Sequence, residues 1–114
     1  MHSDFRVDVR TDGRAAIIAV SGELDLASAP ALEAKLEEAG RSESELLVLD
    51  LRELEFMDST GLSVIVKAHQ RLSEQGRSLC LIRGPQQVQR LLDLTGVAER
   101  LTLVNSPEEI LGGV

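Results

Sequence analysis

The chain has 114 residues, a length typical of one domain, and its 43% hydrophobic content is too high for a disordered chain. Twelve Lys and Arg residues against 19 Asp and Glu residues give a net charge of −7, the wrong sign for binding nucleic acid or anionic lipid. No apolar run approaches the ~18 residues that a membrane span needs. We therefore expect one domain over residues 1–114, with no nucleic acid and no membrane as partner.

The N-terminal sequence and the cysteine content indicate the cellular compartment of the protein. The N-terminal sequence MHSDFRVDVR lacks the apolar stretch of a signal peptide, so we expect the protein to be cytoplasmic. Cys80 is the single cysteine, which excludes an internal disulfide and a CxxC metal or redox pair.

Five short segments have the pattern of β-strands. Residues 5–10 alternate apolar and polar side chains, and an Asp-Gly turn at 12–13 leads to a more buried strand at 15–20, which predicts a hairpin. Three further apolar runs follow, at residues 46–51, 79–82 and 101–104. The first of these, LLVLDL, is nearly continuous, as in a strand covered on both faces. Residues 52–58 are predicted to form a loop.

Amphipathic helices are predicted between these strands. The first opens near Ser28 or Ala29, carries Pro30 in its first turn, where a missing N–H costs nothing, and ends at Gly40. Three others are predicted at residues 59–75, at residues 85–94 and after a capping box at 106–109. Because strands and helices alternate after an initial hairpin, we expect an α/β fold with a small mixed β-sheet, parallel β-α crossovers and helices packed against it.

Most signatures of catalysis and of ligand binding are missing. Neither a dinucleotide-binding glycine motif nor a phosphate-binding P-loop occurs. His2 and His69 are too isolated in the sequence to anchor a metal site. We therefore expect no catalytic residue, no cofactor, no metal and no enzymatic activity.

One stretch stands out, FMDSTGL at residues 56–62, where a buried strand leads into an amphipathic helix. Its polar groups are predicted to lie at the C-terminal edge of the sheet beside a helix N-terminus, where ligand and partner sites collect in such sheets. The simplest interpretation is structural. Asp58 or Ser59 would cap the helix, and Thr60 and Gly61 would complete the turn.

Two functional interpretations compete with the structural one. A hydrolase nucleophile at Ser59 needs a glycine two residues earlier, where Met57 stands, and the only His that follows is His69 on the same helix, which argues against a hydrolase. Alternatively, Ser59 accepts a phosphate from another enzyme. That phosphate would add nearly two negative charges beside Asp58, close to Glu53 and Glu55, and could switch off the docking of a partner.

Three segments together resemble the STAS domain of anti-sigma factor antagonists. They are GELD at residues 22–25, LVLDLRELEFMDSTGLSVIVKAHQRL at residues 47–72 and LLDLTGV at residues 91–97. The resemblance covers essentially the whole chain in the right order. It implies a small mixed sheet with helices packed along one side, in agreement with the elements predicted above.

The resemblance also implies a mechanism. In this family the serine of a D-S-[ST]-G-L motif, here Ser59, is phosphorylated by an anti-sigma factor that is also a serine kinase of the histidine-kinase-like ATPase class. Asp58, Thr60 and Gly61 match the motif around the acceptor. Asp25 matches the acidic residue of the GELD loop near the same partner-binding surface, although a loop or capping role fits it equally well. The unphosphorylated form binds the anti-sigma factor and releases sigma factor, and a metal-dependent Ser/Thr phosphatase resets the switch.

Fold and function separate within this family. Similar domains serve as interaction subunits of lipid-transporting ABC ATPases, as parts of stress-signalling assemblies and as tails of anion transporters. The sequence contains no membrane span, which argues against the transporter tail. The intact acceptor Ser59 favours the phosphorylation switch over the other two, which stay open as alternatives.

Overall fold

A computed structural model describes residues 4–111. The elements, in chain order, are β1 (Arg6–Asp12), β2 (Ala15–Leu24), α1 (Ala29–Gly40), β3 (Leu46–Met57), α2 (Ser59–Glu74), β4 (Ser78–Ile82), α3 (Gln86–Leu94), a 3-10 turn (Val97–Glu99), β5 (Thr102–Val104) and α4 (Glu108–Leu111). The sheet order is β1-β2-β3-β4-β5, with β1 antiparallel to β2 and every later pair parallel. The predicted α/β fold is confirmed.

The core lies mainly between one face of the sheet and the helices α1, α2 and α3. Alternate residues of β2, β3 and β4 join the buried stripes of these helices in one apolar cluster, as the helical spacing of Leu32, Leu36 and Ile65 predicts. The other face carries a smaller cluster of Ala15, Ile17, Val48 and Ile82, against which Ile110 of α4 packs. Strand β3 is therefore covered on both faces, in keeping with its continuous apolar run.

The predicted loop at residues 52–58 is wrong, because β3 continues to Met57. The end of β3 pairs in parallel with an equally extended β2, through Ser21 with Glu53 and Leu24 with Met57. The register shifts after Ala19 and after Gly22. Backbone pairing with β2, rather than an apolar pattern, extends this strand, and the charged side chains of its second half are exposed.

Two turns show how local sequence fixes local geometry. The hairpin turn is centred one residue later than predicted, because Asp12 still pairs with Ala15, and Gly13 takes a positive φ of 62°. Before α4, the carboxylate of Glu109 accepts a hydrogen bond from the Ser106 N–H at 2.9 Å, as expected of the predicted capping box. Within residues 4–111, no helix is long and apolar enough to cross a membrane.

Candidate functional site

The candidate site lies at the C-terminal edge of the sheet, where β2 and β3 end side by side. The two strands are parallel and finish at Leu24 and Met57, which pair with each other. One residue later, the Asp58 N–H donates to the Leu24 carbonyl oxygen at 3.1 Å. The GELD segment and the DSTGL segment are thereby brought together at a position that is common for binding sites in sheets of this type.

Asp58 is the N-cap of α2. Its backbone is extended, with φ −105° and ψ −175°. Its Oδ1 accepts hydrogen bonds from the N–H of Thr60 at 2.9 Å and of Gly61 at 3.1 Å. Two N–H groups that have no partner within the helix are satisfied in this way. The structural interpretation is confirmed for Asp58, and Ser59 is the first helical residue rather than the cap.

Gly61 allows α2 to start directly against the end of β2. A Cβ at this position would stand 2.5 Å from Leu24 Cγ, closer than carbon atoms pack, and 3.1 Å from Met57 Cγ, a tight contact. Gly61 is itself buried. Its contribution to the site is therefore close packing, and its predicted part in partner binding stays a prediction.

Asp25 organises the loop between β2 and α1. Its Oδ1 accepts hydrogen bonds from the N–H groups of Ala27 and Ser28, each at 3.1 Å, and from the Ser28 hydroxyl at 3.1 Å. The Glu23 carbonyl oxygen lies 2.8 Å from the same hydroxyl, so the single Ser28 hydroxyl proton is shared between this oxygen and Asp25 Oδ1. These bonds give the loop a defined shape beside α2, so the structural alternative for Asp25 is confirmed. Contact between Asp25 and a partner stays a prediction.

The two hydroxyl groups of the motif differ in exposure. Ser59 is exposed, whereas Thr60 is half-buried. Within the part of the chain that the structure describes, the Ser59 hydroxyl makes no hydrogen bond. His69 lies ten residues further along α2, about 15 Å away along the helix axis, and Asp58 is engaged as the cap. Neither His69 nor the capping carboxylate of Asp58 is therefore placed to act as a base for Ser59, whose side chain is exposed to solvent.

Acidic residues precede Ser59 in the chain. Glu53 and Glu55 are exposed near the end of β3, and Asp58 follows them. The cation nearest to them in sequence, Arg52, is engaged elsewhere, with Nη2 2.8 Å from Oδ2 of Asp50. Burial alone would raise the pKa of Asp50, but the hydrogen bonds and charge of Arg52 outweigh it and hold that pKa below its ordinary value. A phosphate on Ser59 would thus enter a neighbourhood with excess negative charge.

Sequence reasoning did not identify two apolar side chains at this edge. Leu26, directly after Asp25, is 74% exposed, and Phe56, two residues before Asp58, is 46% exposed. Their only sequence signal is an apolar residue among polar neighbours, which is weak because isolated exposed apolar residues are common. The pairing of β2 with β3 brings the backbone of both residues to the edge of the sheet at which α2 begins. Among residues 4–111, no group of three or more potential metal-ligating side chains occurs.

Comparison with known proteins agrees with this geometry. The family model of the STAS domain matches residues 6–110. The anti-sigma-B factor antagonist of Bacillus subtilis is 32% identical over 97% of this chain and 98% of its own length. That of Listeria monocytogenes is 35% identical over 83% of each chain. The crystal structure of an anti-sigma factor antagonist from Mycobacterium paratuberculosis superimposes with a TM-score of 0.89 and 25% identity, covering 97% of this chain and 94% of that one.

Proposed function

This chain belongs to the STAS domain family, and we propose that it is an anti-sigma factor antagonist that phosphorylation of Ser59 switches off. The relatives are regulatory binding proteins, and the chain is accordingly a binding protein rather than an enzyme. The observation that carries the proposal is the exposed hydroxyl of Ser59, held at the start of α2 by the Asp58 cap and beside the ordered Asp25 loop.

The proposed partner is an anti-sigma factor that is also a serine kinase of the histidine-kinase-like ATPase class. It docks on the edge formed by Asp25, Asp58, Ser59, Thr60 and Gly61. In the transfer step, the Ser59 oxygen bonds to the γ-phosphorus of ATP, the bond to the β-phosphate oxygen breaks, and ADP leaves. A base on the partner takes the hydroxyl proton, because Asp58 is already engaged by two backbone N–H groups.

The exposed apolar side chains at the same edge complete the proposed docking surface. Leu26 stands on a loop whose shape is set by the hydrogen bonds of Asp25 and Ser28, so little conformational entropy is lost when a partner covers it. Phe56 adds aromatic area, and aromatic and apolar residues near the centre of an interface contribute much of its free energy. Sigma factor release then follows when the antagonist occupies the anti-sigma factor.

Phosphate opposes this docking by charge and bulk. At the helix N-terminus the phosphate is stabilised locally by up to ~1 kcal/mol, and the nearby Asp58, Glu53 and Glu55 oppose it, so the fold is expected to stay intact. Against a desolvated partner surface, an unpaired charge costs several kcal/mol. A loss of ~3 kcal/mol weakens binding more than a hundredfold. A metal-dependent Ser/Thr phosphatase would restore the binding form, and all of these steps would take place in the cytoplasm.

Phosphopeptide mapping together with calorimetry tests the proposal. The wild type, Ser59→Ala and Ser63→Ala are each incubated with ATP and the anti-sigma factor recovered from the native host. Ser63 is a matched control, because it is another exposed serine on α2, one turn further on. We expect one phosphate on Ser59 in the wild type and in Ser63→Ala, none in Ser59→Ala, and loss of binding only in the phosphorylated proteins.

Two results would contradict this proposal. Phosphate on Thr60, or undiminished labelling of Ser59→Ala, would remove the acceptor assignment. Recovery of a transport ATPase in place of an anti-sigma factor would overturn the antagonist role and favour the interaction-subunit alternative.

A further inference from the structure

A cleft of about 170 Å³ lies between α1 and α2, towards the ends of these helices that are remote from Ser59. Its floor consists of four buried side chains, Leu36, Leu47, Val64 and Leu72. None of the residues of the candidate site lines it. An apolar cavity of about 150 Å³ in another protein holds a benzene molecule, so this cleft has room for an apolar group of that size.

The rim of the cleft is cationic although the chain carries a net charge of −7. Three cationic side chains line the rim, those of Lys67, Arg71 and Arg41. Only two carboxylates line it, those of Glu33 and Glu37, so positive charge is in excess. Within residues 4–111, Lys67 and Arg41 form no ion pair, and Arg71 Nη1 lies 3.4 Å from Glu37 Oε1 with both side chains partly exposed. Such an exposed ion pair contributes little free energy, so the carboxylate of a ligand can replace that of Glu37 beside Arg71.

We propose that this cleft binds a small organic carboxylate with an apolar body of about six carbons. The body lies on the apolar floor, and the carboxylate pairs with the guanidinium of Arg71 and the ammonium of Lys67. A guanidinium offers a carboxylate two parallel hydrogen bonds, which makes this head group a good fit. A cationic ligand is disfavoured by the rim, and a neutral one leaves Lys67 without a counter-charge.

Titration of the isolated chain with benzoate, followed by amide chemical shifts, tests the proposal without any protein partner. We expect shifts that cluster around Val64, Ala68 and Leu72. Benzyl alcohol has the same apolar body without the charge, and acetate has the charge without the body. Both are expected to bind at least about tenfold more weakly than benzoate, because each lacks one of the two contributions.

Two variants with the same charge change separate the cleft from general electrostatics. Lys67→Glu is expected to weaken benzoate binding about three- to fivefold, in line with one partly exposed ion pair. Lys35→Glu is the matched control, since Lys35 pairs with Glu38 outside the cleft at 3.6 Å, and binding should be unchanged.

Ala68→Leu fills the cleft and should abolish binding, with the amide spectrum showing whether the variant is folded. The proposal is overturned by shifts outside the cleft or by none at millimolar benzoate. Equal binding of benzyl alcohol, or equal weakening by Lys35→Glu, overturns it as well. Because the experiment measures direct binding to this chain, none of these outcomes depends on the antagonist role.

Discussion

Gly61 and Leu24 are packed so closely that no side chain fits between them. A Cβ on Gly61 would lie 2.5 Å from Leu24 Cγ and 2.7 Å from Leu24 Cδ2. Leu24 is fully buried and ends β2, while Gly61 lies in the first turn of α2. The first turn of α2 therefore packs directly against the end of β2, two residues from Ser59.

Gly61→Ala is expected to lower the free energy of unfolding by about 1–3 kcal/mol, because the added methyl group overpacks the buried Leu24. Urea unfolding at neutral pH measures the effect. Gly40→Ala serves as control, since a Cβ on Gly40 meets nothing within 4 Å and its helical position favours Ala. Equal stability of Gly61→Ala and the wild type would show that the contact relaxes freely.

Asp58→Ala should destabilise the protein by about 1 kcal/mol, because it removes the acceptor of the Thr60 and Gly61 N–H groups. Asp58→Asn is the matched variant, since an Asn side chain caps helices about as well as Asp. We expect its melting temperature to stay near that of the wild type. An equal loss in both variants would mean that the charge, and not the cap, is what stabilises the helix.

The Asp50–Arg52 pair predicts a pH dependence of stability. Although burial opposes it, the hydrogen bonds from Arg52 hold the pKa of Asp50 below its ordinary value, so the folded state favours the carboxylate. The stabilisation is therefore present above the unfolded-state pKa of about 3.9 and is lost as the pH falls through the lower folded-state value.

Arg52→Ala should thus cost about 1–2 kcal/mol at pH 7, and the difference from the wild type should shrink towards about pH 3. Urea unfolding at several pH values measures this. Arg14→Ala removes an exposed pair with Glu45 and should cost less than about 0.5 kcal/mol throughout. A deficit in Arg52→Ala that grows at low pH would contradict the assignment.

Leu26→Ala should weaken binding of the anti-sigma factor about five- to thirtyfold, equivalent to about 1–2 kcal/mol, without a measurable change in stability. Leu26 is 74% exposed and contributes little to the core. Calorimetry with the partner and urea unfolding of the variant measure the two quantities. Leu94→Ala is the control, because Leu94 is 78% exposed but lies at the far end of α3. Similar losses in both variants would argue against a docking surface centred on Ser59.

Local sequence signals were sufficient for most elements. The periodicity of α2, with Gly76 just after its end, placed that helix within one residue of its observed bounds, and the buried run at residues 46–51 placed the start of β3. The Asp58 cap could likewise be predicted, because a carboxylate before an amphipathic run is a local signature. The second half of β3 could not, since its Glu and Arg side chains give no strand pattern and only pairing with β2 makes it a strand.

By itself, the sequence determined the α/β fold, the start of α2 and the DSTGL motif around Ser59, because each depends on patterns within single helices, strands and turns. Only the tertiary structure decided what lies beside that motif. Parallel pairing of β2 with β3 brings Asp25 and the exposed Leu26 to Ser59 from more than 30 positions away, and packing of α1 against α2 forms the cleft at the opposite end. Such proximity depends on burial and backbone pairing between distant segments, which no local pattern specifies.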